Sequence, residues 1–275
     1  MNSIGFMQGR LSEIIDGKIQ AFPWDSWMQE MDIAIENSFS IMEWTLDHKN
    51  LKDNPLFNTR HQKYIQDFCS KNKFQISSLT GDCFMQAPLW KLDESRYDFL
   101  FNEFKMVVLA CKKIGIKIIV IPCVDFSSLD KPEYEDRFIK FSENSANFLR
   151  ENNVKVAIES DFSPIRLADF MSKIPNDVFG VNYDIGNSAS LGFLPKEEID
   201  AYGELIINVH VKDRPYGKST IALGEGDADF LTVFSLLNSI KYQGNFILQT
   251  ARAKDGKHLE NLLKYKKMVK NWQNV

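Results

Sequence analysis

Eight short apolar runs, rich in β-branched residues, recur along the chain: Ile4 to Gln8, Ser40 to Leu46, Gln75 to Thr80, Lys117 to Cys123, Val154 to Ser160, Phe179 to Asp184, Ile206 to Lys212 and Asn245 to Thr250. Most lead into segments whose apolar residues return every three or four positions, the pattern of a strand followed by an amphipathic helix. Met31 to Ser38, Phe101 to Gly115, Phe138 to Asn152 and Leu259 to Trp272 are such segments, with Gly115 placed to cap the second. Successive runs start 25 to 42 residues apart, enough for a strand, a helix and a return to a parallel neighbour. Eight such units predict a single (β/α)8 barrel over residues 1–275. No GxGxxG follows the first run, which argues against an open dinucleotide-binding sheet. The stretches Asp47 to Thr59 and Gly81 to Asp93 read as long loops after the second and third strands.

Composition adds constraints rather than a function. With 44% hydrophobic and 25% charged residues the chain is an ordinary globular one. Its net charge of −4 opposes a polyphosphate partner, so nucleic acid is not expected. The basic cluster Lys264, Lys266 and Lys267 suits one exposed face of a terminal helix. The cysteines at 69, 83, 111 and 123 form no CxxC pair and read as free thiols. No signal-peptide pattern and no long uncharged apolar stretch is present, which points to the cytoplasm and away from a membrane.

In a barrel of this kind the chemistry gathers where strands end. Strands five to eight end at Glu159, Asp184, His210 and Gln249. Two carboxylates, an imidazole and an amide oxygen on neighbouring strands can surround one divalent ion (Mn2+, Zn2+, Co2+ or Mg2+) and leave positions open for substrate oxygens. Strands also end in polar residues simply because they end at water, which is the competing explanation.

The IES of strand five, the DIGN of strand six, the HVKD of strand seven with the following LGEGDADF, and the ligand position of strand eight resemble the xylose isomerase-like barrel superfamily. That superfamily holds sugar isomerases, epimerases and endonuclease-type relatives. GFMQGRL at the start and MEW at the end of strand two extend the likeness over nearly the whole chain. In its metal-dependent epimerases, strands five to eight supply glutamate, aspartate, histidine and glutamate to one ion. Glu159, Asp184 and His210 match; Gln249 departs, since an amide offers an oxygen but accepts no proton. The resemblance implies a sugar or sugar-phosphate isomerase or epimerase working through an enediolate, with Glu159 as the base. The missing second glutamate leans it toward one-base isomerisation.

Asn187, Lys212, Arg214, Arg252, Glu43, Trp44 and Asp82 are further candidates for holding a carbohydrate substrate. Lys212 and Arg214 suit an anionic group, although Asp213 between them offers a local ion pair. Trp44 suits either a sugar face or the core. A dehydratase or lyase would use the same ion, a non-catalytic sugar-binding barrel would explain Gln249, and an abasic-site endonuclease fits poorly with four histidines. Subunit number stays open, a homo-oligomer included.

Overall fold

The computed structural model describes residues 2–91 and 94–274, so the end of the loop expected at Gly81 to Asp93 lies outside the described residues. Eight strands form one closed ring in chain order, each parallel to its neighbours: β1 (Ile4–Met7), β2 (Ile41–Thr45), β3 (Gln75–Thr80), β4 (Ile118–Cys123), β5 (Lys155–Ser160), β6 (Phe179–Asp184), β7 (Ile206–Val211) and β8 (Phe246–Leu248). The barrel is that expected from the periodicity. β8 is three residues long, so Gln249 lies just beyond it, although its N–H still bonds to Val211 O.

Among the described residues, ten helices surround the ring: α1 (Trp27–Glu36), α2 (Thr59–Asn72), α3 (Asp82–Gln86), α4 (Glu94–Ile114), α5 (Pro132–Asn152), α6 (Pro164–Met171), α7 (Ile185–Leu191), α8 (Pro195–Tyr202), α9 (Phe230–Ser239) and α10 (His258–Trp272). α4 stops at Gly115, whose φ of +93° carries the chain into the left-handed region. The expected loops are partly structured: two 3-10 turns occupy Leu51–Asp53 and Pro55–Phe57, and α3 follows directly on β3. Short turns of this kind show little apolar periodicity, which is why the sequence pattern passed over them.

Outside the ring, Phe104, Phe138, Phe141 and Phe179 pack edge to face, Phe170 lies tilted against Phe138, and all five are fully or almost fully buried, joining α4, α5 and α6 to β6. Lys266, expected on an exposed face, instead lies over the Phe39 ring and donates to Ser38 O at 2.7 Å, tying α10 to the end of α1. Among the described residues no helix is long and apolar enough to cross a membrane.

The loop after β1 is fastened by Glu30 of α1, whose carboxylate accepts from Gly9 N at 2.8 Å and Leu11 N at 2.9 Å. Burial outweighs these bonds and pushes the Glu30 carboxyl up to about 7. The folded chain therefore holds a proton there that the unfolded chain releases above about pH 4.5. Folding stability contributed by Glu30 is expected to fall as pH rises through this window, by about 1.4 kcal/mol per unit at most. Urea midpoints between pH 5 and pH 8 check this: Glu30→Gln should show the shallower dependence.

Candidate metal and substrate site

Strand alternation sets the site. Asn182 and Asp184 of β6 lie on one face, as do Asn208 and His210 of β7, while Val181, Tyr183, Val209 and Val211 between them face the helix layer. Inside the ring this gives a polar floor. His210 Nε2 lies 2.7 Å from Glu43 Oε1 of β2, a contact between strands on different sides of the barrel. The other oxygen of Glu43 accepts from Ser78 Oγ at 2.7 Å and Asn208 Nδ2 at 3.1 Å. Asn208 also donates to Asn182 Oδ1 at 2.8 Å, and Asn182 Nδ2 donates to Glu159 Oε2 at 2.8 Å. Every member of this layer is buried and bonded, so the ring orientation of His210 is determined by its neighbours.

Above the floor, single ligand atoms of Glu159, Asp184 and His210 lie within 4.8 Å of one another, and all three residues are buried. Asp184 ends β6 and also caps α7, accepting from Asn187 N at 2.9 Å. Gly186 in the next turn lies against Lys212, where a Cβ would meet backbone at 2.8 Å. This close approach explains the glycine of DIGN.

Lys212 Nζ is 2.6 Å from Asp184 Oδ2, and His210 Nδ1 is 3.3 Å from Glu159 Oε2. Burial alone would lower the His210 imidazole; the carboxylates of Glu43 and Glu159 overcome it and raise the ring to about 10. Burial also opposes ionisation of Glu159, but His210, Lys212 and Asn182 hold its carboxyl below the usual range. Asp184 is shifted upward by burial and by the neighbouring charge of Glu159. His210 Nε2 is held by Glu43, which leaves Nδ1, 3.0 Å from Asn182 Nδ2, as the ring nitrogen on the side of Glu159 and Asp184.

The residues fit a divalent ion. Gln249 Oε1 is buried without a hydrogen-bond partner, an orphaned acceptor of the kind an ion satisfies. Its amide nitrogen donates to Gln20 Oε1 at 3.2 Å.

The site opens on a cavity of about 860 Å³ whose wall includes Asp82, Glu159, Asn187, Lys212, Arg214 and Gln249. Asn187 Nδ2 donates to Glu159 Oε1 at 2.7 Å, and Arg214 Nη1 donates to Asn187 Oδ1 at 2.6 Å. Three other candidates lie elsewhere. Glu43 is fully buried in the floor beneath His210. Trp44 packs between Phe22 and Trp27 and donates to Asn54 Oδ1, taking the core role rather than a sugar face. Arg252 donates to Ser12 O and clasps the loop after β1 to the loop after β8, outside the cavity wall.

Asp213 makes no ion pair with its basic neighbours. Its carboxylate accepts from Gly224 N at 2.7 Å and Gly226 N at 2.9 Å, which accounts for the glycines of LGEGDADF, since a side chain at 226 would collide with it. Asn182, Asn208 and Ser78 were missed from the sequence. Their signal was present: Asn182 and Asn208 stand two residues before Asp184 and His210, on the same strand faces.

A closed parallel barrel with a buried carboxylate–imidazole group at its strand ends defines the class: an α/β barrel with a mouth suited to one cation. The chain belongs to the xylose isomerase-like TIM barrel family, whose family model matches residues 31–272. It is similar to a Haemophilus influenzae protein named "Putative L-ribulose-5-phosphate 3-epimerase SgbU", at 21% identity over 266 residues, covering 89% of this chain and 90% of the relative. Among solved structures it resembles the IolI protein with a bound zinc atom, at TM-score 0.77 and 16% identity, covering 99% of this chain and 98% of that one. A D-tagatose 3-epimerase-like protein superposes at TM-score 0.74 and 17% identity, covering 98% and 99%.

Proposed function

We propose that this protein is a sugar or sugar-phosphate isomerase or epimerase that moves a proton next to a substrate carbonyl, using one divalent ion held by Glu159, Asp184, His210 and the Gln249 amide oxygen. The convergence of the first three at one point under an open cavity carries the reading. The epimerase names among the relatives support it. The ion would draw electron density from the substrate carbonyl and lower the cost of an enediolate.

The remaining work falls to this chain. Glu159 is held ionised and is gripped by Asn182 and Asn187 through both oxygens, so its carboxylate is aimed before substrate arrives. Removing the α-proton breaks a C–H bond, transfers the proton to Glu159 and leaves the electron pair in the enediolate. Asn187 and Arg214, linked at the cavity wall, orient substrate oxygens, with Arg214 suited to an anionic group. Position 249 supplies no acid–base group, which leaves either one-base isomerisation or a second proton carrier elsewhere in the wall.

The ion is tested without any substrate. Adding Mn2+, Co2+, Zn2+ or Mg2+ to chelator-treated protein is expected to raise the melting temperature for at least one of them. At a hundredfold excess over Kd the gain is about 2.7 kcal/mol, or roughly 5–10 °C for a chain of this size. His210→Ala should abolish the shift. An unchanged melting curve with all four ions would sink the proposal. Turnover is then sought with ketoses and their phosphates in the presence of the stabilising ion.

A further inference from the structure

We infer that Asp82 is the second proton carrier of this site, giving a proton to the carbon from which Glu159 takes one and filling the role that Gln249 cannot. The inference rests on the isomerase or epimerase reading above and narrows it to epimerisation. Asp82 follows the end of β3 and opens α3; its side chain is buried, yet it lines the same cavity as Glu159 and Gln249. In a closed ring of eight strands β3 lies diametrically opposite β7. A substrate resting on the Glu159, Asp184 and His210 group is therefore flanked by Asp82 on the side away from His210.

The hydrogen bonds around Asp82 give Gln249 a purpose. Asp82 Oδ2 accepts from Gln20 Nε2 at 2.5 Å. Gln20 Oε1 accepts in turn from Gln249 Nε2 at 3.2 Å and Arg10 Nη2 at 3.4 Å. The amide at 249 thus fixes which end of Gln20 faces Asp82. A glutamate there would set a carboxylate oxygen against Gln20 Oε1 and turn that side chain around. Position 249 and position 82 therefore act as one unit, with the carboxyl group moved from the strand-eight end to the strand-three end.

Asp82 Oδ1 accepts from Thr80 Oγ1 at the long distance of 3.5 Å, which leaves this oxygen able to carry the proton. Burial first, and then the charges of Asp47 and Glu159, push this carboxyl up to about 7 against the pull of Gln20 and Arg10. It holds or releases a proton readily near neutral pH, as a general acid must. In this step the O–H bond of Asp82 breaks, the enediolate C=C pair takes that proton to form a C–H bond on the side facing β3 rather than the β5 side from which Glu159 approaches, and an oxygen lone pair re-forms the carbonyl. Glu159 is left protonated and Asp82 ionised, and both reset by exchange with water.

The experiment follows L-ribulose 5-phosphate and D-tagatose in D2O by NMR, with the holoenzyme loaded with Mn2+. The parent enzyme is expected to exchange the α-proton and to form the epimer. Asp82→Asn, which still accepts from Gln20, should keep the exchange driven by Glu159 while epimer formation falls about a hundredfold or more. Asp82→Glu should recover part of it. Melting curves confirm that each variant is folded. Epimer formation by Asp82→Asn at the parental rate, equal loss of exchange and epimer, or a parent that yields only the aldose, each overturns the role of Asp82 and leaves the proposed function standing. A parent that exchanges no deuterium with either sugar overturns both.

Discussion

Glu159→Gln is expected to lower turnover of any ketose the parent converts by about 10⁴-fold, the upper end of what one positioned base contributes. The substitution keeps the shape and leaves an acceptor for Asn182 or Asn187, but the group can no longer take a proton. It also removes a negative charge facing His210 and Lys212, so affinity for the cation should weaken in the same variant. The two effects are separated by assaying at saturating ion, with saturation read from the melting shift. A variant that turns over within a few-fold of the parent under those conditions would show that the base is another residue.

The second large effect is expected at Glu43, which touches neither the cavity nor the proposed substrate. Glu43→Ala leaves a buried imidazole, a hydroxyl and an amide without their shared acceptor. Removing one partner of a buried charged pair costs about 3–5 kcal/mol, which for a chain of this length is a fall of roughly 10 °C in melting temperature. Glu43→Gln keeps the volume and should fold, but it returns an N–H toward groups that need an acceptor. Its cation affinity is expected to drop about 10- to 100-fold, as when the outer partner of a ligating histidine is lost. Metal titration of the glutamine variant at fixed pH is the deciding measurement; an unchanged affinity would show that Glu43 supports only the fold.

Much of the site was legible because strand ends are local features. Glu159, Asp184 and His210 each close an apolar run, and the run is what delivers the residue to the mouth. Gln249 was legible as a departure, but its consequence was not, because the residues it bears on are Gln20 and Asp82, 229 and 167 positions earlier in the chain. Glu43 and Trp44 are neighbours on β2 that look alike as candidates for a sugar. Alternation sends one into the barrel under His210 and the other outward into the aromatic core.

The count, order and parallel sense of the strands, and the three candidate ligand residues at their ends, follow from local sequence patterns, since period-two and three-to-four-residue repeats are properties of neighbouring positions. Ring closure sets the partners of those side chains. It brings Glu43 to His210 across 167 residues and joins Gln249 to Gln20 across 229. Contacts made across a closed barrel depend on register and side-chain reach together, and no local pattern encodes either.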